Sequence, residues 1–314
     1  MISLAHEWYG KTGIVTGFGR PFGLMTESGS GIYVVDMDLH GIFQITEDFT
    51  YYRAMFDENG WSDFQALTVG MLPAADRRRP GRFNGPHSID RASDGIYCVT
   101  CYYDPSLHFF LKDGIAERVQ RTVSPGEYLA GPATAVFDAK GDLLVAEYAK
   151  NLIYVLGQDG ELLVSYDGLG KSNEHFIHIN RPHMARRFSN GNILVADTWN
   201  HRLLLLNADG EPLNYWGYSE SDDRTAWKDP ETRSVASNKP AGLHGPVSID
   251  ICPQTEKVLV SDWGNHRIRL ISPEGPLLEC LFPESLNHPY DARFWRNGIV
   301  VADSHNSRLV FQIS

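Results

Sequence analysis

Short apolar runs follow one another along the whole chain, separated by turns rich in glycine, proline, asparagine and aspartate. Asp159-Gly160 and Asp209-Gly210 each stand between two such runs, and this dipeptide is typical of tight β-hairpins. Apolar residues at helical spacing are almost absent. The pattern therefore predicts an all-β protein built from many short antiparallel strands.

A proline followed by an apolar strand recurs six times, and each copy leads into a second strand, a loop and further strands. Four antiparallel strands repeated at about 45 residues are typical of a β-propeller blade. We therefore predict a single domain over residues 1–314, folded as a six-bladed β-propeller of four-stranded blades. The repeated prolines are Pro21, Pro86, Pro132, Pro182, Pro246 and Pro289.

The sixth repeat reaches only its third strand before the sequence ends, whereas residues 6–16 resemble the fourth strands of other repeats. We expect this N-terminal strand to pair with the last blade and close the ring. Closure would remove a sheet edge that otherwise invites aggregation.

Two spacings between the repeated prolines, 65 and 64 residues, exceed the others, which run from 43 to 50. They place insertions at about 60–84 and 218–244, each connecting a fourth strand to the next first strand. We expect both insertions over the mouth of the central channel, as a lid that contacts substrate. Mobile surface loops are the alternative interpretation.

Composition and charge narrow the possible partners. The net charge of −11 argues against binding to nucleic acid or to anionic membranes. The sequence has neither a membrane-spanning apolar run nor a secretory signal, so we expect a cytoplasmic protein with reduced cysteines. Cys98 and Cys101 form a C-x-x-C within a strand, where they should face opposite sides and make a poor metal or redox pair.

A V-A-D-x-x-N-x-R pattern follows the second strand in the last three blades and resembles the NHL repeat. The acid and the arginine are expected to hold the loop between strands. Blades one to three depart from the pattern at Asp36, Cys101 and Glu147. The matching residues are Asp197, Asn200, Arg202, Asp262, Asn265, Arg267, Asp303, Asn306 and Arg308.

First strands line the channel of a propeller, and strand alternation places the residues before and after each proline on the channel side. The residue after the proline is His87 in blade two, His183 in blade four and Tyr290 in blade six, where His288 precedes the proline. Alternate blades lie a third of a turn apart. Three such side chains are therefore predicted to converge on the axis, where they could hold a metal ion.

This arrangement is similar to that of the peptide-amidating lyase domain, an NHL-like six-bladed propeller that cleaves peptidyl-α-hydroxyglycine. That family holds zinc with three histidines, each following a proline in alternate blades. The resemblance implies a divalent ion, zinc, held by His87 and His183, with His288, Tyr290, His305 or water completing the set. We choose His288 as the third ligand. Tyr148 is similar to a catalytic tyrosine of that family, displaced by one position.

We predict a metal-dependent lyase or hydrolase acting on a small polar organic molecule in the channel. Tyr148, Tyr290 and His305 are the candidates for proton transfer. Two alternatives stay open: a non-catalytic NHL scaffold that binds a protein or ligand on one face, and a metal-free enzyme that uses histidine and tyrosine. The sequence does not indicate an oligomeric state. The predicted substrate-binding residues are Arg20, Arg181, Tyr103, Trp199 and Trp263.

Overall fold

The repeat folds as six antiparallel sheets that form the blades of a β-propeller, which confirms the predicted fold class. None of the helices in the described part of the chain is long and apolar enough to cross a membrane. The computed structural model describes residues 5–9, 12–49, 51–55, 61–65, 83–114, 116–168, 178–230, 232–275, 277–281 and 285–313.

Blades one to three comprise the strands Pro21–Glu27, Gly31–Asp36, Gly41–Ile45, Tyr51–Met55 and Ser62–Gln65; Pro86–Arg91, Tyr97–Cys101, Ser106–Phe110 and Ala116–Gln120; and Pro132–Phe137, Leu143–Glu147, Leu152–Leu156 and Leu162–Tyr166. A small hairpin, Thr122–Ser124 with Glu127–Tyr128, stands between the second and third blades.

Blades four to six comprise the strands Met184–Arg187, Ile193–Asp197, Arg202–Leu206 and Pro212–Trp216; Pro246–Ile251, Val258–Asp262, Arg267–Ile271 and Leu277–Leu281; and Pro289–Trp295, Gly298–Asp303 and Arg308–Ile313, completed from the N-terminus. A single 3-10 turn follows the second strand in each of these blades: Thr198–Asn200, Trp263–Asn265 and Ser304–Asn306.

The N-terminal segment closes the ring as predicted. Thr12–Thr16 pairs antiparallel with Arg308–Ile313, and Ala5–Tyr9 adds a fifth strand outside it. The junction is also tied on the channel side, because the Ser304 hydroxyl donates to the carbonyl of Pro21. Closure therefore rests on a strand that is distant in sequence from the blade it completes.

Apolar side chains fill the space between neighbouring blades. Between blades four and five, Ala196 and Trp216 pack with Ile249 and Val260, and all four are buried. The Trp216 indole donates to the carbonyl of Gly275 over 2.6 Å, so its polar atom is satisfied inside the packing. Cys98 and Cys101 belong to different clusters on the two faces of their strand, as the alternation predicts.

The acid of the NHL pattern holds the loop that follows it. In blade five, the fully buried Asp262 accepts hydrogen bonds from the backbone N–H of His244 over 2.7 Å, from Asn265 over 2.9 Å and from Arg267 over 2.8 Å. Arg269, also buried, lies 3.4 Å from the same carboxylate. The expected structural role of the acid and arginine is therefore confirmed.

A second repeated contact joins four of the blades to the blade that follows. The residue one after the asparagine position of the pattern has a left-handed backbone, with φ of 54° at His201. Its side chain accepts a hydrogen bond from the backbone N–H of the residue that stands directly before the repeated proline of the next blade. His201 accepts in this way through Nδ1, so that nitrogen carries no proton. The pairs are His40 with Gly85, Asn151 with Arg181, His201 with Gly245 and His266 with His288.

Charged side chains fill the channel beside the first strands of blades four, five and six. Arg293 donates to Asp291 over 2.9 Å and to the carbonyl of Leu24 in blade one, and it lies 3.4 Å from Asp250. Arg186 reaches the same Asp250 over 3.4 Å. Two arginines therefore neutralise carboxylates that burial in the channel would otherwise strongly destabilise.

The two predicted insertions are described to different extents. Of residues 60–84, only 61–65 and 83–84 are described, so the expected position of this insertion over the mouth lies outside the described residues. The first part of 218–244 runs beside the outer strand of blade four, where Tyr215 pairs with Lys228. Trp227 then donates to the carbonyl of Pro273 in blade five, and the insertion ends near the channel at His244.

Candidate functional site

A cavity of about 470 Å³ occupies the channel mouth, at the end where the loops between second and third strands meet. Most of its lining comes from blades four, five and six. The predicted residues that line it are Arg20, Tyr148, His183, Trp199, Trp263, Tyr290 and His305. The lining residues that sequence reasoning did not single out are Phe22, Thr198, His201, His244, Gly245, Val247 and Ser304.

His87 lies directly beside this cavity and is 4% exposed. Its Nδ1 is 2.8 Å from the carbonyl of Ala133, and a carbonyl only accepts, so Nδ1 carries the proton. Burial lowers the pKa of His87 to about 4, which keeps the ring neutral at physiological pH. Its Nε2 therefore accepts, and the Tyr290 hydroxyl donates to it over 2.8 Å.

His183 is fixed in the same tautomer. Its Nδ1 is 2.9 Å from the hydroxyl of Thr198, and that hydroxyl donates its own proton to the carbonyl of Pro246 over 2.6 Å. Nδ1 must then be the donor, and Nε2 carries a free lone pair beside the cavity. Burial, and next the neighbouring His87, lower the pKa of His183 to about 3.

The three residues from alternate blades do converge on the axis. Ring centres are 6.1 Å apart between His87 and His183, 5.0 Å between His87 and Tyr290, and 5.9 Å between His183 and Tyr290. Phe22, the equivalent residue of blade one, stacks on Tyr290 with ring centres 3.8 Å apart. The floor of the cavity is thus the neutral imidazole of His183 and the phenol of Tyr290 on an aromatic support, with the neutral His87 hydrogen-bonded to Tyr290 directly beside it.

His288 belongs to a different group. Its ring lies 4.1 Å from His266, 4.4 Å from His305 and 4.4 Å from Trp263, measured between ring centres, and its Nδ1 is 2.9 Å from the amide oxygen of Asn287. Burial, reinforced by the neighbouring histidines, lowers its pKa to about 4. His288 is therefore part of a histidine cluster at the rim of the mouth.

The predicted three-histidine set is not assembled. Among the described residues, no group of three histidine, cysteine, aspartate or glutamate side chains is placed to hold a metal ion. The expectation that residues before and after the proline face the same way fails because the residue before it is not extended. Its φ is 49° at His288 and 48° at Arg181, which turns the side chain away from the strand's alternation.

The predicted substrate-binding residues fall into two groups. Trp199 and Trp263 line the cavity, as does Arg20, which pairs with Asp38 over 2.7 Å. Arg181 and Tyr103 do not line it. Arg181 lies above Trp199 at the rim, while Tyr103 is 56% exposed and covers Gly85, so that it contacts solvent outside the cavity.

Two of the missed residues had a recognisable signal. Phe22 stands one residue after the repeated proline in blade one, the position that gives His87 and His183. His201 stands between the asparagine and arginine of the NHL pattern, and its contact with Gly245 places it at the mouth. His244 ends the insertion predicted over the mouth and stands two residues before the repeated Pro246, but the other blades carry no histidine at this position, so the repeat did not mark its side chain.

Comparison with known proteins supports the repeat and the fold. Residues 180–204 match the NHL repeat family, which confirms the resemblance for blade four. No curated protein matches the chain. Virginiamycin B lyase from Staphylococcus aureus is similar in structure, with 14% identity and a TM-score of 0.57 over 97% of this chain and 89% of that one.

Two further solved structures are similar over nearly the whole chain. The WD40 propeller domain of Doa1 is 11% identical, with a TM-score of 0.60 over 96% of each chain. An auxiliary nutrient-binding protein from Bacteroides thetaiotaomicron is 12% identical, with a TM-score of 0.63 over 99% of this chain and 75% of that one. At such identities the likeness shows the propeller fold alone, and function must be argued from the site.

Proposed function

We propose that the chain is an enzyme that binds a small polar organic molecule in the mouth cavity and transforms it by lyase or hydrolase chemistry. The observation that carries the proposal is that His183 and Tyr290 meet at the cavity floor, with His87 hydrogen-bonded to Tyr290 beside them. Three polar side chains from three separate blades converge there among apolar residues, which is typical of a binding or catalytic pocket.

The floor offers hydrogen-bond acceptors. Tyr290 donates its proton to His87, so the phenol oxygen presents lone pairs, and His183 presents the lone pair of Nε2. Both imidazoles stay neutral at physiological pH because burial lowers their pKa values. A hydroxyl or amino group of the substrate is the complement of this floor.

Proton transfer then falls to residues around the substrate. The ring of Tyr148 lies 4.7 Å from that of His183, and its hydroxyl receives a hydrogen bond from Arg181 over 3.2 Å. His305 lines the cavity from blade six. We assign proton transfer to Tyr148 and His305, because a pKa of about 3 makes His183 a weak base.

The same floor is the candidate site for a divalent ion. The Nδ1–H of His87 and of His183 is anchored by a protein acceptor, which is how metal-bound histidines are usually oriented. Their low pKa values remove competition from protons. We propose these two imidazoles with Tyr290, in place of His288, as the donor set; the ion would replace the hydrogen bond that the Tyr290 hydroxyl donates to Nε2 of His87. A bound ion would polarise the substrate or lower the pKa of a bound water.

Elemental analysis of protein purified without a histidine tag tests the metal. About one equivalent of zinc or another divalent ion is expected, and it should be absent from a folded His87→Ala, His183→Ala double variant. A His288→Ala variant is the matched control and should keep the ion. Turnover of substrate by metal-free protein would refute the proposed metal dependence and support the metal-free acid–base alternative.

Turnover tests the enzyme. The protein is incubated with pools of small hydroxylated and aminated molecules, and loss of substrate and gain of product are followed by mass spectrometry. Tyr290→Phe should lower the rate about 10- to 100-fold, because the floor loses one of its hydrogen-bond acceptors. The surface variant Tyr128→Phe should not. Binding without turnover by the wild-type protein would overturn the enzyme and favour the non-catalytic alternative.

A further inference from the structure

Arg181 occupies a backbone position that favours glycine. The residue before the repeated proline has a positive φ in four blades, and two of them use glycine there, with φ of 64° at Gly85 and 62° at Gly245. Arg181 adopts a φ of 48° although it carries a side chain. Positions of this kind cluster at functional sites, although turns such as that of Arg296 contain them too, so the side chain itself must be considered.

The blade contact at this position does not need an arginine. Asn151 accepts a hydrogen bond from the backbone N–H of Arg181 over 2.8 Å, and glycine supplies the same N–H in the equivalent contacts of Gly85 and Gly245. The fold would therefore be served as well by glycine. What the arginine adds is its guanidinium group.

That guanidinium is held in place and carries no carboxylate partner among the described residues. It lies 4.4 Å above the ring of Trp199 and 5.3 Å from that of Tyr148, and it donates to the Tyr148 hydroxyl. Arg20, the equivalent residue of blade one, is instead paired with Asp38 over 2.7 Å. Arg181 is thus an oriented cation whose charge is not neutralised by any carboxylate in the described part of the chain.

The cavity beneath it is also poor in negative charge. None of the described residues that line it is an aspartate or a glutamate, in a chain of net charge −11. Trp199, which lines the cavity beside Arg181, is 53% exposed, so part of its indole surface is open to a ligand. A positive rim on an acidic protein selects for anions.

We infer that the molecule bound in the mouth cavity is an organic anion with a planar apolar body, and that Arg181 determines this specificity by pairing with its carboxylate, sulfonate or phosphate group. The inference rests on the proposed function and names its substrate class. The apolar body lies against Trp199 and the aromatic lining, while the anionic group is held at the rim.

The test compares Arg181→Gly with Arg296→Gly. Arg296 is a matched control, because it also has a positive φ, 53°, and stacks on a tryptophan, Trp295, at 4.4 Å. It lies in the turn between the first two strands of blade six, at the other end of the propeller. Both variants remove one positive charge and relieve the same backbone strain, and each also loses one hydrogen bond of the guanidinium, to Tyr148 or to the carbonyl of Glu47. Binding is therefore compared at a temperature at which both variants are folded.

Binding is measured by fluorescence with two probes of similar shape, the anion 8-anilinonaphthalene-1-sulfonate and its uncharged counterpart N-phenyl-1-naphthylamine. Arg181→Gly should lower the affinity for the anionic probe at least about tenfold and leave the affinity for the uncharged probe unchanged. Arg181→Lys should recover part of the loss, and Arg296→Gly should bind both probes like the wild-type protein.

The outcomes separate this inference from the function it rests on. If the wild-type protein binds neither probe, both the cavity as a binding site and the anion preference are overturned. The wild-type protein could instead bind the two probes with equal affinity, or Arg181→Gly and Arg296→Gly could weaken binding of the anionic probe alike. In either case the inferred anion preference is wrong, while the cavity is still a binding site.

Discussion

Asp262 should be among the most costly residues of the fold to change. Asp262→Asn keeps the shape of the side chain but removes a fully buried negative charge that lies 2.8 Å from Arg267 and 3.4 Å from Arg269. The new amide group also faces these donors instead of accepting from them. Removing one partner of a buried ion pair typically costs about 3–5 kcal/mol of unfolding free energy.

Asp36 provides the matched control, because blade one has the acid without the arginine. Its carboxylate is equally buried and accepts from the backbone N–H groups of Gly19 over 2.7 Å and Arg20 over 3.0 Å. Asp36→Asn therefore loses hydrogen bonds but strands no guanidinium, and about 1–3 kcal/mol is expected. Asp262→Asn should exceed it by about 2 kcal/mol.

Urea unfolding followed by tryptophan fluorescence and by far-ultraviolet circular dichroism measures the difference. The two probes must give the same midpoint for the free energies to be compared. If Asp36→Asn costs as much as Asp262→Asn, the arginines contribute nothing and the acid acts only through backbone hydrogen bonds. The structural reading of the NHL pattern would then be wrong.

Two further predictions concern the channel and the closure of the ring. His87 has a folded-state pKa of about 4 against an ordinary 6.5, so the unfolded chain takes up the proton first and stability is lost as the pH falls from 6.5 towards 4. Chelator-treated protein should lose about 2 kcal/mol at pH 5 through this group alone, and His87→Gln should show a correspondingly smaller loss between pH 7.5 and pH 5. Deleting residues 1–17 removes the strand Thr12–Thr16 and exposes the edge of Arg308–Ile313, so the truncated chain should melt earlier and form oligomers in size-exclusion chromatography; a monomer of unchanged melting temperature would show that the strand is dispensable.

The repeat allows the fold to be predicted from the sequence, but it predicts side-chain positions only where the backbone is extended. The residue after each proline lies in an extended strand, so alternation correctly brought His87, His183 and Tyr290 together. The residue before the proline has a left-handed backbone in blades four and six, and no alternation rule holds there. His288 was therefore assigned to the axis, although its ring lies with His266 and His305.

The distribution of the NHL pattern among the blades accounts for the off-centre cavity. Blades four to six have the complete acid, asparagine and arginine, and in each of them a 3-10 turn follows the acid and presents a cavity residue: Trp199, Trp263 or His305. Blades one and three, with Asp36 and Glu147 but no such arginine, contribute few lining residues. The buried ion pairs thus hold the loops that build the site.

This link makes Asp262 relevant to binding as well as to stability. Its carboxylate accepts a hydrogen bond from the backbone N–H of His244, and Trp263 is the next residue in the chain. Both His244 and Trp263 line the cavity. Asp262→Asn should therefore weaken binding of the anionic probe under conditions where the variant is still folded, because the carboxylate no longer holds the two lining residues in place. Asp36→Asn, which lies behind Arg20, disturbs one lining residue and should weaken the probe less. If the two variants weaken probe binding equally, the ion pairs of Asp262 do not position the lining residues, and this link between stability and the site is wrong.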